Sequence, residues 1–548
     1  MVIDIRKLWN YTESLSVLVH RNNRDVSNMR KNILWNLIYG LILLGMLLGA
    51  FLAVRAVLQL NMLPQSYVQA LGGIFGLFVL LVGVMLFWKG KKAGTGRRIV
   101  ACILAILMIG SCAVITTVAT DVFRTLNATN RQEDGKDVRA VYVLKDSKVR
   151  SLEDTKGFTY GYVKYYDEAC TQQVLEEVER KTDGNFSTAG YTNAFLMAKA
   201  LQEGRIDAMI LNGGYLSILE DTEEFADYSS LVRILAVVEV QEPEETQPTE
   251  PKEEILELPE EPEQTEPTQP EIGEVDYEAL EPFMVYVSGS DSYDSEIIMN
   301  SRSDVNILAA INPRTKQILL VNTPRDYYVE NTSGGGKLDK LTHCGLYGTS
   351  CSMKTLGKLY HTDISYYVRI NFSGFKKLID ALGGVTVYSD YAFTAITRTP
   401  IQEGENHLTG QEALDFARER YTLKGGDNER GRHQMQVITA VIEKATNGST
   451  IISNYSDIMA SVEGMFSMNI PVEMIGNLMK MQLTDMAKWN IVSYAATGTD
   501  AMEECYSVPG MELSVIKPSN ASVSKAIRLI DMVWEGELLT EEVINSIQ

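Results

Sequence analysis

The sequence predicts an α/β protein in three parts: a three-helix membrane anchor, a small α/β accessory domain and a large C-terminal α/β domain. Three observations lead to this. Apolar runs at 33–60, 68–88 and 99–118 are each about 20 residues or longer, enough to cross a bilayer as a helix. Two later stretches alternate short Val/Ile/Leu-rich segments with amphipathic ones, the rhythm of α/β domains. Between those stretches Gln241–Val275 is Pro- and Thr-rich and holds thirteen Glu against one Lys. At 548 residues the chain is too long for one domain. Its formal net charge of −21 excludes a nucleic-acid role, because a phosphate backbone needs a basic face. The six cysteines show no CxxC pair and no zinc spacing.

Residues 1–120 read as a cytoplasmic tail followed by three transmembrane helices. The tail before the first run is basic, with Arg6, Lys7, Arg21, Arg24, Arg30 and Lys31, and the loop Lys89–Arg98 after the second run holds five Lys/Arg. The loop after the first run, around Asn61–Ser66, holds none. The positive-inside bias then makes the protein a multi-pass membrane protein with its N-terminus in the cytoplasm and everything after Val118 outside. The first run is too long and too far in for a cleavable signal peptide. Arg55 interrupts it near its outer end, where its side chain can snorkel.

Residues 137–240 form the accessory domain. Val138–Leu144 reads as a strand, Ala169–Arg180 as a helix, Asn193–Glu203 as an amphipathic helix ended by Gly204, and Ile206–Leu211 as a further strand. The phrases SLEDTKGFTYGYV and LQEGRIDAMIL resemble one lobe of solute-binding proteins. A single lobe without its partner implies docking or spacing, with a small-molecule site as the alternative. The following segment, 241–275, has too few apolar residues to fold and reads as a disordered, self-repelling tether.

Residues 277–548 form the third part. Phe283–Ser288 is a buried-type strand running to Asp291, and a strand's C-terminal end is a common place for functional groups in α/β sheets. Val305–Ile311 and Gln317–Thr323 flank the polar turn Asn312–Lys316, which predicts a β-hairpin. An antiparallel hairpin sets its two ends side by side, so Arg302 and Asp304 on entering meet Arg325 and Asp326 on leaving. Carboxylates suit Mg²⁺ and guanidinium forks suit phosphate oxygens. Tyr360–Ala381 reads as a strand and then a helix, with Tyr366, Val368, Ile370 and Phe372 alternating, and Gly383-Gly384 ends that helix. Farther on, Arg418 and Arg420 lie two apart: they share a face on a strand but stand roughly 200° apart on a helix. If both hold one ligand, the spacing predicts a strand. Lys424–Arg432 reads as a Gly-rich loop carrying Asp427, Arg430 and Arg432, with a helix opening near His433 and Gln434 in its first turn. Arginines at a helix N-terminus form an anion site. Surface ion pairs are the alternative reading of each charge taken alone.

Taken in order, Arg302-Ser303-Asp304, Pro324-Arg325-Asp326, Arg418-Glu419-Arg420 and Gly426-Asp427 with Arg430 and Gln434 resemble the LytR-CpsA-Psr family. The anchor and accessory domain resemble its capsule-type branch. The resemblance implies a mixed sheet flanked by helices, an α/β/α fold with an apolar slot for a lipid tail. It implies a phosphotransferase that moves a glycopolymer, such as a capsule or teichoic-acid-like polysaccharide, from a polyprenyl-pyrophosphate carrier to peptidoglycan. The reaction takes place on the outer face of the membrane with Mg²⁺, or Mn²⁺ in its place. By the same resemblance Asp291 and Asp304 bind the metal. Arg302, Arg325, Arg418 and Arg420 clamp the pyrophosphate, Arg430 and Gln434 contact it from loop and helix, and Lys340 joins them after a Gly-rich loop. Arg302, Arg325 and Asp304 form the catalytic set. His433 departs from the usual Arg or Asn.

Two rivals use the same residues or none of them. A pyrophosphatase would accept water in place of a sugar hydroxyl, and a non-enzymatic regulator of envelope-polymer synthesis or transcription would need neither. The acidic charge, the exterior placement and the lack of a helix-turn-helix stretch oppose the regulator. Asp291 and Asp304 both remain open as the group that assists deprotonation. Finally, Cys344 and Cys351 bracket a short loop in an exterior domain, which predicts a disulfide, with two unpaired buried thiols as the alternative.

Overall fold

Residues 5–88, 95–129, 136–164, 168–241, 280–290, 300–423, 426–446, 458 and 464–547 are described by the computed structural model. The expected tether at 241–275 lies outside the described residues except for Gln241, as do residues 276–279, Asp291, residues 89–94 and the side chain of Asp427. The chain divides into two compact units, Met1–Arg124 with Met479–Thr484, and Thr125–Leu478 with Asp485–Gln548.

The first unit contains the helices Ile5–Leu60 and Gln65–Phe87 and all but the last turn of Thr95–Thr129. Within them Ile33–Leu60, Gln65–Phe87 and Gly96–Asn127 are long and apolar enough to span a membrane. Met46, Ala53, Phe75, Val82, Ala105 and Met108 are buried between the helices, while Leu41, Leu77 and Ile106 point outward. An apolar outer surface on helices that satisfy their own backbone suits a lipid surround.

The second unit begins with a five-stranded mixed sheet: β1 Lys136–Leu144, β2 Thr159–Val163, β3 Ser187–Tyr191, β4 Ala208–Leu211 and β5 Val232–Gln241, in the order β3-β2-β4-β1-β5. Strand alternation sends Tyr142 to one face, against the helix Ala194–Gln202, and Val141 and Val143 to the other, against Glu168–Thr182. Asn193 caps the first of these helices by accepting the Leu196 N–H at 3.0 Å.

The C-terminal part is built on six strands: β6 Phe283–Ser290, β7 Val305–Asn312, β8 Gln317–Asn322, β11 Tyr366–Asn371, β16 Phe466–Met468 and β17 Asn490–Ala495. The order is β16-β11-β6-β7-β8-β17. Pairing is parallel for β11/β6 and β17/β8 and antiparallel elsewhere, so β6, β8, β11 and β17 run the same way. The mixed sheet implied by the family resemblance is therefore observed. Small ribbons decorate it: β9 Tyr328–Asn331 with β10 Lys337–Lys340, β12 Val385–Ser389 with β15 Gly404–Leu408, β13 Phe393–Thr394 with β14 Pro400–Ile401, and β18 Gly498–Cys505 with β19 Val508–Pro518. Helices Thr349–Tyr360 and Asn520–Glu535 bury Tyr286, Leu308, Leu319 and Leu529 on one face. On the other, Phe372–Ala381, Gly410–Arg418 and Gly426–Thr446 pack together around Ile379, Phe416 and Val437.

The β7–β8 hairpin forms as the sequence predicts. Asn312 Oδ1 accepts the Arg314 N–H at 3.1 Å, and Lys316 takes the positive φ of 53° that closes the turn. Ile307 pairs with Asn322. Continuing that register sets Asp304 opposite Arg325, at the edge where the four like-directed strands end.

Candidate active site

Arg325 Nη1 donates to Asp304 Oδ1 at 3.0 Å, closing the open end of the hairpin. The same oxygen accepts from Thr342 Oγ1 at 3.2 Å. Arg325 Nε lies 3.6 Å from Asp326 Oδ2, and Lys340 Nζ donates to Asp326 Oδ1 at 3.0 Å. Lys340 ends β10 and is held there by the backbone: the Leu341 and Thr342 N–H groups donate to the Tyr327 and Arg325 carbonyls, each at 2.8 Å. Arg302 is buried and pairs with Asp221 of the accessory domain.

Arg418 and Arg420 both reach this place, but not from a strand. Arg418 is the last residue of the helix Gly410–Arg418, and the chain turns extended at Glu419 (φ −63°, ψ 135°). The turn cancels the helical offset that made a strand the expectation. Glu419 holds it: its buried carboxylate accepts the N–H groups of Arg420, Tyr421 and Thr422 through Oε1 and that of Ile396 through Oε2, all between 2.6 and 3.0 Å. The Arg418 guanidinium lies over the Phe372 ring, 4.4 Å from its centroid. The next helix also corrects the sequence reading. It opens at Gly426 rather than near His433, so Arg430 is already helical and Gln434, four residues on, shares its face. His433 turns away from them. It is buried between Phe416 and Phe393, ring centroids 3.9 and 5.6 Å apart, with Nδ1 3.2 Å from the Phe416 carbonyl.

One cavity of about 710 Å³ gathers these groups. Asp304, Lys340 and the arginines 302, 325, 418, 420 and 430, with Gln434, line it. It also has an apolar part: Val287 and Ile370 from the sheet, and Phe372, Phe375, Leu414, Ala417 and Ile438 from the three covering helices. Guanidinium groups and apolar side chains therefore share one cavity. Of the expected site residues only Asp291 is not placed, because it lies outside the described residues.

The charges hold one another in place. Burial by itself would raise the Asp304 carboxyl, but Arg325, Arg302 and Arg430 outweigh it and hold the group down at about 2. Burial opposes the Arg325 charge in turn, and Asp304 and Asp326 raise its pKa again. Asp326 is likewise lowered, by Lys340 and Arg325 against burial. Among the described residues no group of three or more His, Cys, Asp or Glu gathers as a ready metal site. Mg²⁺ commonly takes only one or two carboxylates and completes its shell with phosphate oxygens and water, so an ionised Asp304 beside guanidinium groups that suit phosphate oxygens fits that ion.

Three supporting residues escaped the sequence reading. Arg369 lies on β11 and is fully buried; it donates to Ser288 Oγ at 2.6 Å and to the Ser301 carbonyl at 2.7 Å, bracing the segment that carries Arg302. Its signal was an arginine inside an alternating strand, where Tyr367, Arg369 and Asn371 prove to be the more buried set. Glu419 stands in the motif between two arginines, where the sequence gives it no role of its own. Asp221 gave no signal, because nothing in sequence ties it to a residue 81 positions away.

Cys344 and Cys351 are free thiols in this structure, which corrects the expected disulfide. Each has partners of its own: Cys344 Sγ lies 3.9 Å from the Lys340 carbonyl and Cys351 Sγ 3.3 Å from Asn331 Oδ1. They also hydrogen-bond each other, which lowers the pKa of Cys351 and raises that of Cys344.

A LytR_cpsA_psr family model matches residues 252–521. A polyisoprenyl-teichoic acid–peptidoglycan teichoic acid transferase, TagU, of Bacillus cereus is 35% identical over 208 residues, covering 38% of this chain and 66% of that protein. The TagU of Enterococcus faecalis is 36% identical over 190 residues, covering 34% and 62%. The match thus spans just under two thirds of these relatives' length. Among solved structures, that of B. subtilis TagU aligns at 26% identity with a TM-score of 0.37, covering 48% of this chain and all of that one.

Proposed function

This chain belongs to the LytR-CpsA-Psr family, and we propose that it is a phosphotransferase that attaches a polyprenyl-pyrophosphate-linked glycopolymer to peptidoglycan at the outer face of the membrane. The observation that carries the proposal is the single cavity in which a cluster of guanidinium groups meets an apolar wall. A lipid pyrophosphate has those two halves. The TagU relatives are named as transferases of teichoic acid to peptidoglycan, which supports this donor and acceptor pair.

In this reading Arg302, Arg325, Arg418, Arg420 and Arg430 grip the pyrophosphate oxygens, and Lys340 and Gln434 complete the grip. Forked, charge-assisted hydrogen bonds fix the phosphates and neutralise charge as it shifts. The acceptor hydroxyl oxygen attacks the phosphorus that bears the sugar. The bond from that phosphorus to the bridging oxygen breaks, polyprenyl phosphate leaves with the electron pair, and the hydroxyl proton is released to the departing phosphate or to water. Phosphoryl transfer needs positioning and electrostatics more than covalent help. Asp304 accepts a hydrogen bond from Arg325, and in this reading it orients that guanidinium and would hold Mg²⁺ or Mn²⁺. When bound, that ion neutralises phosphate oxygens. The lysine and arginine bias around the apolar helices supports an exterior site.

The test is transfer by the full-length protein in membrane vesicles, given a lipid-pyrophosphate glycan and peptidoglycan. Glycan joined to peptidoglycan through a phosphodiester, with release of polyprenyl phosphate, is the expected result. Free glycan phosphate with none attached would instead establish water as the acceptor and a pyrophosphatase. Turnover of neither kind would remove both.

A further inference from the structure

We propose that the accessory domain supplies an internal anion, Asp221, that competes with the ligand's phosphate for Arg302. The domain would then gate the pyrophosphate site. This rests on the reading of Arg302 as a phosphate-binding residue.

The placement is built, not incidental. The short helix Tyr215–Glu220 sits with its start against the segment that carries Arg302 and its end at Asp221. Gly214 makes that approach possible: a Cβ there would lie 3.0 Å from the Asn300 carbonyl oxygen and 3.2 Å from Ser301 Cα. Asn212 fastens the same corner. Its Oδ1 accepts the Gly214 N–H at 2.9 Å and its Nδ2 donates to the Leu346 carbonyl at 3.0 Å. From this support Asp221 reaches Arg302, and Glu220 and Asp221 both line the cavity.

The other carboxylates of the site differ in kind. Asp304 and Asp326 belong to the hairpin and are only 16% and 20% exposed, so they can leave their cations only by remodelling the sheet edge. Asp221 comes from another domain and its side chain is 52% exposed, whereas Arg302 is 6% exposed. The carboxylate can swing to water while the guanidinium stays. A phosphate brings more charge and more acceptor oxygens than a carboxylate, so it can take over the fork once Asp221 leaves. Until then, part of the phosphate's binding energy is spent on separating the pair.

Inorganic pyrophosphate binding to the full-length protein in detergent, measured by titration calorimetry, tests this. Asp221→Asn should tighten binding roughly 5- to 10-fold, the range of a modest ion pair removed from competition. Equal or weaker binding would overturn the proposal, since Asp221 would then support Arg302 rather than compete with the ligand. Hydrogen exchange gives a second readout. Pyrophosphate should speed exchange around 218–224 in the wild type and not in Asp221→Asn; no change in the wild type would also overturn it. Arg325→Gln separates the two levels of inference. If that variant binds pyrophosphate as tightly as wild type, or if nothing binds at all, the phosphate-site reading itself fails and this proposal falls with it.

Discussion

Arg325 is the residue on which the site's charge balance turns. It touches Asp304 and Asp326 with different nitrogens, a geometry that a fork has and an ammonium lacks. Arg325→Lys should therefore lower transfer about 100-fold although the charge is kept. A fall of less than about threefold in a steady-state assay would reduce the residue to a source of field. Acid should act on the fold through Asp304. Its folded pKa lies near 2, below the usual value of 3.8. Its contribution of roughly 2 kcal/mol is thus fully present above pH 4 and is lost as pH falls toward 2. His433 adds in the same direction from a different cause. Burial lowers its pKa, so the native state holds it neutral, and stability declines as pH drops below its ordinary value of 6.5. Urea unfolding of Asp304→Asn and His433→Phe across pH 3–7 should show a shallower acid decline in each; a slope equal to wild type would exclude that residue.

At the scale of elements, the arginines are placed by where helices stop and what they rest on. The helix Gly410–Arg418 begins with a capping box between Thr409 and Glu412 and ends where Glu419 gathers four N–H groups. Glu419→Gln keeps the shape but gives up one acceptor oxygen and the charge. It should cost about 1–3 kcal/mol in thermal or urea unfolding and raise KM more than it lowers kcat, because Arg420 loses its turn. An unchanged KM would show that the turn persists without the carboxylate. The helix Gly426–Thr446 presents Arg430 through a close approach: a Cβ on Gly431 would collide with the Asn322 amide at the end of β8. Gly431→Ala should destabilise the protein by about 1–3 kcal/mol and shift Arg430 off the cavity, lowering pyrophosphate affinity as well. A stable variant with normal affinity would mean that the helix can slide along the sheet without effect.

For the molecule as a whole, the docked accessory domain and the orientation in the membrane decide what the site can meet. Leu346 and Val508 of the C-terminal part belong to the same apolar core as Met197, Leu201 and Tyr215 of the accessory domain. Asn193 Nδ2 adds a hydrogen bond to the Pro509 carbonyl at 3.0 Å. The domain is thus part of the site's wall rather than a spacer. A cysteine at Thr249 in the charged segment should be labelled in whole cells by an impermeant thiol reagent. Protection of that cysteine would reverse the orientation and with it the exterior reaction.

The sequence by itself determined the three apolar helices, the α/β character of both later parts and the hairpin that sets Asp304 against Arg325. Each is a local pattern: apolar length, alternation, or a turn between two apolar strands whose register brings its own ends together. The motif residues, once aligned in order, also pointed to a phosphate clamp before any geometry was known. Only the tertiary structure decided how Arg418 and Arg420 reach one cavity, because a helix stop and the buried Glu419 carboxylate undo the periodicity that a strand would have needed. It alone placed His433 in an aromatic stack and Arg369 beneath the segment bearing Arg302. It alone brought Asp221 to Arg302. That contact depends on two sheets packing together through Gly214 and Leu346, and chain proximity carries no trace of it.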